Sequence, residues 1–434
     1  MGDSVRRRTR LVGTAVALAV AGGLAACGGS GSGAPTLTWY INPDDGGQAQ
    51  IASECTEAAD GAYRIQTSVL PRDAGAQREQ LARRLAAKDA SIDLMSLDPP
   101  FIPELAEPGF LAPIPDDVQE RVTEDVVAGA IAGATWKDEL VTVPFWANTQ
   151  LLWYRKSVAA AAGLDMTQPV TWDQLIDAVR TQDVYLGVQG TKAESLTVWI
   201  NALVASAGGE IVENPTADAA EVELGLETDA GREAARIMGT IGSEGLAGPG
   251  LPTEDENASM SVFQGDKGSF MVNWPFVWSA TKAGVEDGTL PQSLLDDIGW
   301  TIYPRVDAET NAGTPYGGIN LGVGAFSKQT DLAFEAAECI VTPEHQAFYF
   351  ATNGNPASNT DAYDDPQVLE AYPMAPVIRE SLEQAVPRPQ TPYYNDVSIG
   401  LQETWHPPSS VSPDSTPQRS TDFITAVLRG ERLL

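Results

Sequence analysis

The stretch 63–98, YRIQTSVLPRDAGAQREQLARRLAAKDASIDLMSLD, reads as strand, helix and strand in immediate succession. Its first segment, YRIQTSVLP, is β-rich. In DAGAQREQLARRLAAKD, Leu81 and Leu85 stand four apart among charges, the spacing of an amphipathic helix. IDLMSLD is an apolar strand that ends on an acid, Asp98. Strand–helix alternation of this kind predicts an α/β protein with a largely parallel sheet covered by helices on both faces. Upstream, TLTWYI (36–41) is a further strand, followed by the turn NPDDGG leading into a helix. The pattern then restarts. LLWYRK reads as a strand, TWDQLIDAVR as a helix opened by Thr171, and SLTVWINALVASAGG as a helix closed by glycines. TDAGREAARIMGTI is helical, GSFMVNW and IGWTIYP are strands, and DLAFEAAECIV and STDFITAVLRG are the last helices. Between these two, residues 387–417 are proline-rich, and the interleaved Tyr393, Tyr394 and Trp405 predict an ordered, packed coil. Trp153, Trp172 and Trp199 fall within strand and helix patterns and read as core.

A chain of 434 residues suggests about two domains. The net charge of −32 argues against a nucleic-acid partner, which would need clustered Lys and Arg. The N-terminus is more specific. Arg6, Arg7, Arg8 and Arg10 precede an apolar run over 11–26, short for a bilayer span and ending in small residues. The run closes LAAC at Cys27, which resembles a bacterial lipoprotein signal. That resemblance implies a diacylglycerol on the Cys27 thiol and cleavage after residue 26; the rival is an ordinary secretory peptide with an incidental cysteine. GGSGSGAP within 27–35 is then a flexible tether. Removing residues 1–26 takes away four arginines and Asp3, leaving −35. Of the remaining cysteines, Cys55 and Cys339 are either a disulfide or two buried thiols. With two histidines and no Cys/His cluster at ligand spacing, no metal or other cofactor is expected.

Five segments in order carry a family resemblance: IDLMSLDPPFIPELAEPGFLAPI; TWKDELVTVPFWANTQLLWYRKSVAAAAGLDMTQPVTWDQL; VFQGDKGSFMVNWPFVW; TPEHQAFYFATNGNPAS; and PRPQTPYYNDVSIGLQ (387–402). Together they resemble the extracellular solute-binding proteins of ABC importers, in the sugar-binding group that includes maltose- and trehalose-binding proteins. The sequence departs from that pattern at Trp136-Lys137-Asp138, where the group usually has a glycine, and at Arg155-Lys156 after Tyr154. The last segment, the tether and the alanine-rich composition are most similar to the trehalose-binding lipoproteins of mycobacteria and their relatives. The resemblance implies two α/β lobes of the periplasmic-binding-protein type, each a mainly parallel sheet flanked by helices, with the ligand cleft between them. By analogy residues 36–146 and 322–372 form lobe 1, residues 147–321 and 373–434 form lobe 2, and both Cys55 and Cys339 fall in lobe 1. It also implies no catalysis, a disaccharide ligand with trehalose favoured, two transmembrane permease subunits and a cytoplasmic ATPase as partners, and a location on the outer face of the cytoplasmic membrane through the lipid on Cys27.

A neutral disaccharide presents hydroxyls and apolar C–H faces, so its site needs carboxylates and amides at strand ends and an aromatic plate. Ligands of open α/β sheets collect beyond the carboxyl ends of strands. That rule selects Asn42 and Asp45 after the first strand, Asp98 after IDLMSLD, Asn148 in VPFWAN, and Trp274 after GSFMVN. It adds Tyr316, Gly317 and Gly318 in TPYGGIN, where glycines admit a ligand close to the backbone, and Glu256 and Arg419 before second-lobe elements. Each has a plainer reading: Asp98 as a helix cap, Asn148 as a hinge turn, Asp44 and Asp45 as turn formers, Glu256 and Arg419 as solvated surface. Arg388 reads as holding the proline-rich coil against its lobe. The register of the plate is open among Trp274, Phe276 and Trp278, with Trp274 preferred. Ligand alternatives are another sugar or a glycerophosphodiester, the acid-rich composition favouring a neutral one. An exported glycoside hydrolase would also place two acids in a cleft, for which Asp98 and Glu256 are available. Against it, the chain shows no Gly-x-Ser-x-Gly elbow.

Overall fold

A computed structural model describes residues 33–44 and 46–434. The expected signal peptide 1–26, the expected lipidation site Cys27, the expected tether up to residue 32 and the candidate Asp45 lie outside the described residues. In chain order the strands are β1 (Thr36–Ile41), β2 (Arg64–Val69), β3 (Leu94–Leu97), β4 (Thr135–Trp136), β5 (Glu139–Leu140), β6 (Val143–Thr149), β7 (Leu151–Arg155), β8 (Tyr185–Gly187), β9 (Gly268–Asn273), β10 (Ile298–Thr301) and β11 (Tyr316–Val323). They form two sheets, ordered β2-β1-β3-β11-β6 and β10-β7-β9-β8, and the small hairpin β4-β5. In the first sheet β1 runs parallel to β2 and β3, and β11 is antiparallel to both β3 and β6. Four strands therefore point one way and β11 alone is reversed. In the second sheet β7 is the reversed strand, antiparallel to β10 and β9, while β8 and β9 are parallel. The architecture is the expected two-lobed α/β fold. Its sheets are mixed because the strands that connect them must arrive from the opposite direction.

Those connections position the cleft. β6 ends at Thr149 in the first sheet and β7 begins at Leu151 in the second, with Gln150 alone between them. The chain returns from β10 to the first sheet through β11, which pairs with β6 from Tyr316↔Thr149 to Leu321↔Val143 and shifts register after Ile319. Two of the passages between the lobes thus lie at neighbouring strands, hydrogen-bonded to each other.

Local sequence explains the elements. The helix Ala74–Ala86 is capped by Asp73, which accepts from the Ala76 N–H at 2.7 Å, and it buries Leu81 and Leu85. Each leucine so buried contributes about 1.5–3 kcal/mol. The helix Trp172–Gln182 starts with a capping box between Thr171 and Gln174. One correction falls in the proline-rich segment. It holds the helix Tyr394–Trp405, not only packed coil, because its prolines stand before 393 and after 406 and leave Val397, Leu401 and Trp405 free to recur on one buried face. Trp153, Trp172 and Trp199 are fully buried. The second sheet packs Leu152, Phe270 and Val272 against helices carrying Trp172, Trp199 and Trp405. The first sheet has one core around Trp39, Phe145 and Phe334 and another around Leu81, Met95 and Leu105. A further core forms where the sheets meet, from Ala147, Leu151, Trp153, Tyr316, Met271, Phe350, Tyr372 and Ile378.

Cys55, in the helix Gly47–Ala58, and Cys339, in the helix Thr330–Ile340, are joined by a disulfide with Cα atoms 5.9 Å apart. It closes a sequence separation of 284 residues, which restricts the unfolded chain strongly. Replacing both cysteines by alanine is expected to lower stability by about 2–5 kcal/mol. Guanidinium unfolding of the double variant and the parent would show it; coincident midpoints would contradict a stabilising role.

Candidate functional site: the cleft between the lobes

The two sheets face each other across a cleft of about 640 Å³. The first sheet brings Asn42 from the end of β1, Asp98 from the end of β3, Asn148 from β6, and Gly317 and Gly318 from β11. The second lobe brings Glu194 and Ser195, Asp255 to Asn257, Trp274 and Phe276, and Arg388. Of the residues selected from sequence, Asn42, Asp98, Asn148, Glu256, Trp274, Gly317 and Gly318 meet on this one surface.

Two selected residues are elsewhere. Tyr316 is 2 % exposed and belongs to the core at the lobe junction, where its ring lies against Gly133. Its side chain points behind β11 while the following glycines open toward the cleft. Arg419 lies on the helix Thr416–Leu428, where its guanidinium donates to the Thr404 carbonyl in a separate groove with Asp414 and Asp422. Standing on the last helix, it turns toward the neighbouring helix and away from the sheets.

The aromatic wall has a definite register. Trp274 and Phe276 line the cleft, together with Trp146 on β6. Trp278 packs edge-on against Trp300, with ring centroids 5.3 Å apart, and donates its indole N–H to the Ala371 carbonyl at 2.9 Å. Trp274 reaches the cleft because Gly317 has no side chain: a Cβ there would stand 2.9 Å from the indole. Gly318 has φ +122°, and a Cβ there would meet the Trp146 carbonyl oxygen at 2.1 Å. The glycine pair therefore fixes both the ring and the backbone it lies against.

The polar groups are arranged around one buried cation. Arg388, with 6 % of its side chain exposed, donates from Nη2 to Asp98 Oδ1 at 2.7 Å and from Nη1 to Glu194 Oε1 at 2.6 Å. Asp98 does not cap the following turn with its side chain. Burial raises the Asp98 carboxyl above its usual range, and the Arg388 charge opposes the rise. Burial likewise raises Glu256, opposed by its own backbone N–H, with smaller upward pushes from Asp255 and Glu194. Asn42 donates to Gln77 Oε1 at 2.9 Å, and its own Oδ1 is buried without a partner among the described residues. Asn148 accepts from the Thr149 N–H at 2.9 Å. Asp44 accepts from Gly46 and Gln48 in a turn. Glu194 is the residue that the strand-end rule missed. It opens the helix Glu194–Ser206, where an acid reads as ordinary complement to the helix dipole. Arg388 also does more than hold its coil, since it reaches across to β3.

A model of the family described as bacterial extracellular solute-binding protein matches residues 57–347. The chain belongs to that family. Members bind solutes for ABC transport and are not enzymes. Over 405 residues it is 24 % identical to a probable ABC transporter-binding protein of Deinococcus radiodurans, covering 87 % of this chain and 90 % of that one. Among solved structures it is similar to maltose-bound MalE3 of T. maritima, with a TM-score of 0.75 at 20 % identity over 92 % of this chain and all of that one. It is also similar to UgpB from Mycobacterium tuberculosis in complex with glycerophosphocholine, with a TM-score of 0.73 at 17 % identity over 92 % of this chain and all of that one. These structures share the fold. Among the described residues no helix is long and apolar enough to cross a membrane.

Behind the wall formed by Asp255 to Asn257, Glu254 is 4 % exposed, and its Oε2 has no partner among the described residues. Burial pushes its carboxyl up to about 7. A folded-state value above the unfolded one contributes stability at low pH that is lost as pH rises through about 7. Glu254→Gln is therefore expected to melt closer to the parent at pH 5 and above it at pH 8. An unchanged difference between the two pH values would show that Glu254 does not titrate there.

Proposed function

We propose that this protein is the substrate-binding lipoprotein of an ABC importer that captures a neutral disaccharide, trehalose first, and hands it to a membrane permease. The observation that carries the ligand class is the pairing of an aromatic wall with a cation already neutralised. Trp274, Phe276 and Trp146 offer apolar faces for sugar C–H groups, while Asp98, Asn148, Glu256 and Asn42 offer hydroxyl partners. Arg388 is held by two carboxylates, so its charge is spent within the protein. Five acids, Asp73, Asp98, Glu194, Asp255 and Glu256, line the cleft against two arginines, Arg72 and Arg388, a balance that disfavours a phosphodiester. The resemblance of residues 387–402 to the disaccharide branch supports trehalose.

Residues 36–146 with 322–372 make one lobe in this reading, and 147–321 with 373–434 the other, closing on the sugar by hinge motion at β6 and β11. Cys27 carries the lipid that keeps the mature chain at the outer face of the cytoplasmic membrane, since a diacyl anchor holds where one chain does not. Two permease subunits and a cytoplasmic ATPase complete the importer. A second reading, a glycerophosphodiester ligand, is favoured by Arg72 on the same cleft and by the fold shared with the glycerophosphocholine-bound protein.

Calorimetry of the mature protein with trehalose, maltose, sucrose and glycerophosphocholine separates the readings. Trehalose is expected to bind and to remain intact; glycerophosphocholine binding without trehalose binding would overturn the ligand assignment. Trp274→Ala is expected to weaken binding of that sugar by about tenfold or more while leaving the melting temperature nearly unchanged. A large loss of thermal stability with unaltered affinity would make the ring core.

A further inference from the structure

The geometry points to a clamp between the lobes: we infer that Asp98, Arg388 and Glu194 form a positioning device that draws the cleft closed without any solute atom, and so sets how tightly a solute is then held. The inference rests on the cleft being the solute site and deepens that reading.

The three residues come from both sides of the gap. Asp98 ends β3 of the first sheet. Glu194 opens the helix whose Leu196, Trp199, Ile200 and Leu203 pack into the core of the second sheet. Arg388 sits on a coil tied to that same helix, since the Pro387 carbonyl accepts from Asn201 Nδ2 at 3.3 Å. The bond from Arg388 to Asp98 therefore crosses between lobes, while the bond to Glu194 stays within one.

Glu194 is largely committed within the protein. Its Oε1 accepts from Arg388 and from the Tyr394 hydroxyl, and its Oε2 accepts from Ser398 Oγ at 2.6 Å. Held at both oxygens, it fixes the guanidinium fork and aims the other nitrogen at Asp98. That is the work of a positioning residue. A planar fork with one nitrogen anchored loses little further entropy on gaining its second carboxylate.

A second contact crosses the same gap. Phe101, three residues after Asp98, meets Tyr394 edge-on with ring centroids 5.3 Å apart and planes at 70°. Tyr394 is thus shared by the ionic and the aromatic contact, so both form together when the lobes meet. A ligand shifts a two-state equilibrium only by its differential affinity for the two states. A clamp of this kind moves part of that shift into the protein itself. Asp98 then serves twice: Oδ1 receives the guanidinium, and the residue still lines the cleft for a hydroxyl.

Small-angle X-ray scattering of the mature chain without added sugar tests this apart from the choice of ligand. The parent is expected to scatter as the closed two-lobed structure. Asp98→Asn, nearly isosteric and leaving the Glu194 network whole, is expected to raise the radius of gyration, with Arg388→Lys intermediate. Melting curves establish that both variants are folded. In stopped flow with trehalose, Glu194→Gln is expected to raise the dissociation rate about thirtyfold or more, the effect of breaking a buried charge pair. Identical scattering from the parent and Asp98→Asn would overturn the clamp. Failure of trehalose to bind the parent would overturn the ligand assignment and leave the scattering result to decide the clamp.

Discussion

The cleft exists because the chain leaves the first sheet at the end of β6 and re-enters it at the start of β11, two strands paired to each other up to that edge. Backbone hydrogen bonds in the middle of a fold cannot be abandoned cheaply, so this pair behaves as one ribbon joining two rigid bodies. The rest follows from it. The ribbon forces one reversed strand into each sheet, places Asn148 and the Gly317-Gly318 pair at the floor of the gap, and leaves the ends of β1, β3 and β9 facing across it. The junction core around Tyr316, Trp153 and Tyr372 backs the ribbon on the side away from the cleft. A paired ribbon of this kind bends more easily than it shears, the geometry expected of hinge closure around a ligand.

Charge is handled in the cleft by enclosure. The molecule carries −32 overall, yet the most buried ionic group of the cleft is a cation. A guanidinium 6 % exposed must be answered by carboxylates in good geometry, since its desolvation is repaid only by close partners. Asp98 and Glu194 answer it from different lobes, which turns an electrostatic requirement into a mechanical one. The same enclosure leaves hydrogen-bond acceptors, aromatic faces and glycine backbone as the surface offered to a solute. That set is what the proposed polyhydroxylated, uncharged ligand would require.

The strand–helix alternation in 63–98 made the α/β class legible, because periodicity reports which faces are buried. The rule that ligands gather at carboxyl ends of strands located Asn42, Asp98, Asn148 and Trp274, since strand direction alone puts those positions at the cleft. Tyr316 departs from the rule for a local reason: it sits one residue before Gly317, which faces Trp274, and successive strand residues face opposite sides. Arg419 escaped because its helix turns it toward Thr404, which no spacing in the chain reveals. The partnership of Arg388 with Glu194 spans 194 residues, so neither residue carries a local mark of it. Trp146 went unrecognised as part of the wall because it also packs on Phe145 and Tyr349, as an ordinary core ring does. Long-range pairing and side-chain direction were the hidden part.

The most direct measurement is a crystal structure of the mature protein with a bound disaccharide. The account predicts a pyranose face against Trp274, a hydroxyl on Asp98, and Arg388 still bridging Asp98 and Glu194. Sugar lodged outside this cleft, for instance in the groove beside Arg419, or a bound form in which Arg388 has left Asp98 for the sugar, would contradict it.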